Sequence, residues 1–332
     1  MHPSIIKRNK MKKANLYIAL AASLMAAPAL AQTTVAPHYT MFMYNKLLYN
    51  PAYAGSRDVL SVNALYRAQW VGIDGAPRNM AISIDAPVGS YMKPFRHVAL
   101  GLSVSNESAG VLNNTNFMAY YAYRIALGKT MLSLGLQAGA SMMSAKYGDL
   151  NPMQQGDASL SNNFKNEFLP NFGAGVYWRG DRFYAGVSVP HMLENYYDKD
   201  NKVNNVQNNR QVRGYYASAG YVFKVSESVK LEPQGLFRYA GNGKYQLPAT
   251  ADLNLSAIFY DRLMFGATWR TDNSIAGIVH LQVAQRVNVG YSYDYATKVL
   301  NGFTGGSHEF TVGFDFTRDQ NKYVHPRFVS MF

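Results

Sequence analysis

From about Asp58 onward, apolar side chains recur at every second position, and that period limits the fold more than any other feature of the chain. Tyr291, Tyr293 and Tyr295, with Val287 and Val289, alternate with Asn288, Gly290, Ser292 and Asp294. Phe310, Val312, Phe314 and Phe316 alternate with Glu309, Thr311, Gly313 and Asp315, and the same pattern runs through 98–105 and 117–126. Successive side chains of a strand point to opposite faces, so each run has one apolar face and one small or polar face. Fourteen such runs begin near residues 58, 78, 97, 116, 129, 171, 182, 211, 228, 249, 263, 275, 287 and 307. Most are about nine to twelve residues long, which is what a tilted strand needs to cross a bilayer.

The connections between runs sort into two kinds. Tight turns are expected around Gly128, Gly180-Asp181, Ser226-Glu227, Asp261-Arg262 and Arg286. Longer loops follow the runs that begin near 58, 97, 129, 182, 228 and 287, the largest at about 142–170 and 191–210. The connection at 88–96 is longer than this rule asks, and 271–274 is shorter. Short turns at one end and long loops at the other are the build of an outer-membrane barrel. A soluble double-sheet sandwich gives no reason for that asymmetry. The expected fold is therefore all-β, an antiparallel transmembrane outer-membrane β-barrel of about 14 strands spanning residues 58–317. An even strand number places both termini on the periplasmic side.

Composition agrees. The chain carries 25 Tyr, 17 Phe and 27 Gly against 3 Trp, which suits many strands with amphipathic rings at interfaces. Residues 1–31 read as a signal peptide: Lys7, Arg8, Lys10, Lys12 and Lys13 precede an apolar stretch from Ala14 to Leu30, and Ala29-Leu30-Ala31 is a small-x-small cleavage site. That leader holds five of the basic residues and no acid, so the formal charge falls from +12 to +7 by subtraction (12 − 5) on its removal. A mild excess without a basic cluster points away from nucleic acid. There is no cysteine, which excludes a lipid-anchored lipoprotein and is ordinary for a barrel closed by hydrogen bonds. No segment after the leader has eighteen consecutive apolar residues, so a membrane-spanning helix is not expected. Residues 32–57, rich in Tyr, Met and Asn, are expected to be an N-terminal plug or periplasmic segment. Residues 318–332 form a C-terminal periplasmic tail.

The sequence offers no catalytic, cofactor or metal site. Its seven histidines are scattered without ligand spacing. His308 and Glu309 are adjacent on a strand and so point to opposite faces. There is no G-x-S-x-G, and Gly173 and Gly175 lack the third glycine of a phosphate loop, leaving close packing as their reading. Arg124, Asp294, Glu309 and Asp315 fall on the polar faces. They should point into the lumen, because an Arg on the lipid side costs roughly 2–4 kcal/mol at mid-bilayer. They read as a rigidifying ion network or, alternatively, as contacts for cargo or a plug. Trp70 and Ile73 lie in a connection expected to be extracellular; it either folds over the lumen or exposes an anchor for a partner. Asn50, Pro51 and Tyr53 face a similar choice between plug and docking site for a periplasmic partner.

Several ordered motifs carry a resemblance. They include Tyr49-Asn50-Pro51-Ala52-Tyr53-Ala54-Gly55, Arg67-Ala68-Gln69-Trp70-Val71-Gly72 followed by Gly75-Ala76-Pro77, and Ser105-Asn106-Glu107 through Gly110. Tyr121-Ala122-Tyr123-Arg124, Tyr184-Ala185-Gly186 with Pro190-His191, Tyr291-Ser292-Tyr293-Asp294-Tyr295, Gly306-Ser307-His308-Glu309 and Pro326-Arg327-Phe328 follow. Together they resemble the PorP/SprF family of the type IX protein secretion system of Bacteroidota, over essentially the whole mature chain. The sequence departs from the family's usual ending by running on past Phe328. The resemblance implies a non-enzymatic outer-membrane component in contact with outer-membrane lipids. It implies binding to the periplasmic ring and a peptidoglycan-binding lipoprotein, and surface anchoring of type-B C-terminal-domain cargo or gliding adhesins. The alternative is an outer-membrane porin or transporter.

Overall fold

In the computed structural model, the described residues are 38–90, 96–146, 164–195, 211–241, 248–272, 274–297 and 302–316. The signal peptide at 1–31, the tail at 318–332 and most of the two largest loops (147–163 and 196–210) lie outside them.

The wall begins with β1 (Leu60–Ala68), β2 (Arg78–Pro87), β3 (Val98–Ala109), β4 (Leu112–Leu127) and β5 (Thr130–Ala145). It continues through β6 (Phe164–Arg179), β7 (Phe183–Val189), β8 (Gly214–Tyr221), β9 (Phe223–Lys224) and β10 (Val229–Ala240). It ends with β11 (Thr250–Phe259), β12 (Leu263–Arg270), β13 (Ser274–Ala284), β14 (Val287–Ala296) and β15 (Ser307–Phe316). β8 and β9 both pair with β10 and are interrupted at Val222, so they form a single wall strand. Every pairing is antiparallel, and the order closes on itself: β15 pairs with β1, Leu60 lying opposite Phe316 and Ala68 opposite His308. The result is a closed barrel of fourteen wall strands. None of the described helices is long and apolar enough to cross a membrane.

The alternation seen in the sequence sets which side chain faces where. In β2, Met80, Ile82 and Ile84 are exposed on the outside, while Asn79, Ala81, Ser83 and Asp85 are buried inside. Lipid tails solvate the first set and would charge heavily for the second. Aromatic rings gather towards both ends of the wall. Trp178 meets Phe183 edge-on at the short-turn end, and Tyr215 lies against Tyr239 at the other. These are the positions of the two interfacial girdles of a membrane barrel.

The tight turns fall where the sequence places them. At the β11–β12 turn, Arg262 N donates to Phe259 O at 3.0 Å, with Tyr260 and Asp261 both at positive φ (51° and 55°). Two left-handed central residues make a primed turn, whose twist matches that of the strands it joins. The β4–β5 turn uses Gly128 at φ 61°. One expectation fails. The connection after β3, read as long, is the two-residue turn Gly110-Val111. Strands β3 and β4 run further than their apolar faces because polar side chains hold the extension. Asn106 Nδ2 donates to Asn113 Oδ1 (3.0 Å) and Thr115 Oγ1 (2.8 Å), and Ser141 Oγ donates to Asn116 Oδ1 (2.5 Å).

Candidate functional site

Fourteen strands enclose more space than their inward side chains fill. Residues 38–57 occupy that space. The segment is built from short 3-10 turns, Phe42–Tyr44, Lys46–Leu48 and Pro51–Tyr53, and its side chains reach strands all round the ring. Tyr39, Met41, Phe42, Met43, Tyr44 and Tyr49 form one buried cluster with Leu65, Tyr216, Leu236, Ile258, Met264 and Ile278 from the wall. Burying a side chain of this size contributes about 1.5–3 kcal/mol. Tyr44 stacks on His280 with ring centroids 3.9 Å apart, and its hydroxyl donates to Met264 Sδ at 2.9 Å.

Towards the long-loop end, the segment is gripped by charges. Arg67 Nη2 is 2.7 Å from Asp294 Oδ2 and Nη1 is 3.0 Å from Glu309 Oε2. Arg270 Nε meets Asp252 Oδ1 at 2.7 Å, and Arg238 pairs with the other oxygen of Asp252. Three guanidinium groups thus face three carboxylates, all buried. Thr40 sits in their middle. Its hydroxyl donates to Asp294 (2.6 Å) and accepts from Arg67 (2.8 Å) and Arg270 (3.1 Å). The amides of Thr40 and Met41 donate to the two oxygens of Glu309 at 2.8 and 2.9 Å. Desolvation of such groups is costly, and the multiplicity of bonds offsets it.

Towards the short-turn end, a niche in the wall holds Asn50–Tyr53. A Cβ on Gly135 would lie 2.1 Å from Ala52 N, and one on Gly175 would lie 2.2 Å from Asn50 Oδ1. The Asn50 amide donates to Val176 O at 3.0 Å while its carbonyl accepts from Ala52 N at 3.0 Å, capping the last 3-10 turn. Lys46 Nζ sits 3.6 Å from the centre of the Tyr184 ring. Gly55 N donates to Asp85 at 2.7 Å, Arg57 pairs with Asp315 at 2.7 Å, and Asp58 pairs with Arg124 and with Arg179 (2.5 Å). Burial pushes the Asp58 carboxyl up, but the guanidinium groups of Arg179 and Arg124 outweigh it and hold the group below the usual carboxylate range.

At the long-loop end, the β1–β2 loop is fixed by its neighbours. Val71 N donates to Gly306 O (2.9 Å), Gly305 N to Val71 O (2.7 Å), Trp70 N to Ser307 Oγ (3.1 Å) and Gly110 N to Gly75 O (2.7 Å). Trp70 is exposed and adopts φ 46°, a left-handed conformation that a bulky residue takes only when its surroundings impose it. Val71 and Phe303 are exposed beside it, and a cavity of about 520 Å³ opens among Gln69, Ile73, Asp74, Arg78 and Ser108.

These contacts place each residue singled out from the sequence. Asp294 and Glu309 meet on Arg67, Asp315 takes Arg57, and Arg124 takes Asp58, so the four stand in three separate ionic groups. His308 lies on the outer face, its Nδ1 2.8 Å from the Tyr291 hydroxyl, while Glu309 is 0% exposed inside. Asn50 and Pro51 are buried in the lumen and Tyr53 half-buried there. Trp70 is exposed and Ile73 half-buried at the rim. Sequence reasoning passed over Arg67, Arg238, Arg270 and Asp252, although each shares the inward parity of its strand. It passed over Thr40 because the segment around it has no period at all.

A family model described as "Type IX secretion system membrane protein PorP/SprF" matches residues 31–314. No curated protein matches the chain. Among solved structures, the outer membrane protein Omp33 of Acinetobacter baumannii is similar at 10% identity and a TM-score of 0.44, covering 78% of this chain and 99% of that one. The NanC porin gives 10% identity and 0.39 over 78% and 99%. The KdgM porin, solved in complex with disordered oligogalacturonate, gives 10% and 0.37 over 77% and 99%.

Proposed function

The chain belongs to the PorP/SprF family of type IX secretion system membrane proteins, and from that membership we propose that it is a non-enzymatic anchor of the secretion and gliding machinery. It holds type-B C-terminal-domain cargo or an adhesin at the cell surface and binds the periplasmic ring and a peptidoglycan-associated lipoprotein. The observation that carries this reading is the filled lumen. Residues 38–57 bond to strands on every side of the ring, which favours a platform over an open pore. The rigid β1–β2 loop, presenting Trp70 and Val71 with Phe303, is the proposed contact for the surface partner; exposed aromatics on a pre-organised loop are the residues that anchor protein interfaces. The cluster of Arg67, Arg238, Arg270, Asp252, Asp294 and Glu309 serves to lock the segment in place. β15 ends at the short-turn end, which this reading assigns to the periplasm.

An affinity pull-down of the tagged protein from mild-detergent outer membranes, followed by mass spectrometry, tests the proposal. Recovery of a periplasmic ring protein, a peptidoglycan-binding lipoprotein or a large C-terminal-domain adhesin is the expected result. A monomeric barrel that comes down alone and conducts ions in planar bilayers would overturn it in favour of a porin.

A further inference from the structure

The geometry points to an N-terminal arm that threads the barrel from the cell surface inward, with His38 at the outer mouth and Asp58 at the periplasmic one. This rests on reading the long-loop end as the surface.

The order of contacts along the arm gives its direction. His38 Nδ1 is 3.9 Å from Asp272, in the β12–β13 connection at the long-loop end. Thr40 and Met41 bond to Glu309 and Asp294, which lie near the long-loop ends of β15 and β14. Tyr44 reaches His280 and Met264, well down the wall, and Met264 is the second residue of β12 above its tight turn. Asn50 is held at Val176, Gly55 at Asp85, Arg57 at Asp315 and Asp58 at Arg179, the last of these being the final residue of β6 at the short-turn end. The chain folds back once, at Tyr49, whose carbonyl accepts from Ser188 Oγ at 2.7 Å. Net progress is from the outer mouth to the inner one.

Counting strands therefore places the start of β1, and not the chain before it, on the periplasmic side. The arm adds one more crossing, made through the lumen, and it carries no alternation because it faces protein on all sides. The outer end of the arm thus joins the face open to an external partner.

The chain has no cysteine, so any introduced thiol is unique. In the full-length protein in cells, His38→Cys is paired with Asp272→Cys or with Asp261→Cys, and a short bis-maleimide is applied. Linked peptides are read by mass spectrometry. His38→Cys with Ser274→Cys is a second pair at the same end, should the first fail to assemble. Separately, Phe303→Cys and Glu227→Cys, whose native residues are exposed at opposite ends, are treated on intact cells with a polyethylene-glycol maleimide too large to cross the outer membrane. We expect the 38–272 link without the 38–261 link, and labelling of Phe303→Cys alone until the membrane is permeabilised. A 38–261 link, or no link at the long-loop end in either pair, overturns the threading. Labelling of Glu227→Cys but not Phe303→Cys on intact cells overturns entry from the surface through the orientation of the barrel, a failure distinct from that of the threading.

Discussion

Arg67 is 1% exposed and satisfies two carboxylates and a threonine hydroxyl at once. Truncation to alanine leaves Asp294 and Glu309 facing each other's charge, and removing one partner of a buried ion pair costs about 3–5 kcal/mol. Arg67→Ala should lose stability of that order in detergent unfolding, whereas Phe303→Ala should shift the transition hardly at all. Asp58 gives a pH-dependent case. Its carboxyl titrates lower in the folded protein than in the unfolded chain, so its contribution is complete above the ordinary carboxylate value and fades as pH falls towards the folded one. Asp58→Asn should remove that contribution at neutral pH and so flatten the acid limb; acid titration of wild type and variant side by side checks it. The inward direction of Arg124, Asp294, Glu309 and Asp315 was legible because a strand of period two assigns every residue a side. The identity of their partners was not, since parity says which side chains share a lumen but not which ones meet across it.

At the scale of elements, the arm and the wall are fitted to each other by absences as much as by contacts. Gly135 and Gly175 leave room for backbone and amide atoms of Asn50–Ala52 that any side chain would displace. Gly135→Leu should therefore dislodge the arm while preserving the barrel, and planar-bilayer recordings should show conductance well above that of the wild type. Lipid-facing positions behave differently. Leu102→Arg on the outside of β3 should cost about 2–4 kcal/mol in a membrane-folding assay if it lies near mid-bilayer. All fourteen wall strands could be read from alternation, most starts falling within two residues of those observed. The exceptions are instructive. Asn113, Asn114, Thr115 and Asn116 look like turn residues, yet they build the outer part of β4 through amide ladders with β3 and β5. The arm was visible as a Tyr- and Met-rich stretch, but its course was not, because 3-10 turns packed on all sides leave no periodic trace.

For the molecule as a whole, membership of a secretion-system family meets a barrel that can sit in the outer membrane by its strands, none of the described helices being long and apolar enough to span it. The wall is uneven. β4, β5 and β6 are each 16 residues long, while β12, across the ring from them, has 8. At about 3.4 Å per residue along a strand, that is a difference of roughly 27 Å of chain. The tight turns align the strands at one end, so among the described residues the excess of β4, β5 and β6 stands at the other, on their side of the mouth. A barrel with a level rim would look alike to a visitor from any bearing. Among its described strands this one has a front and a back in the plane of the membrane, a long-stranded side and a short-stranded one, so its bearings are not all equivalent.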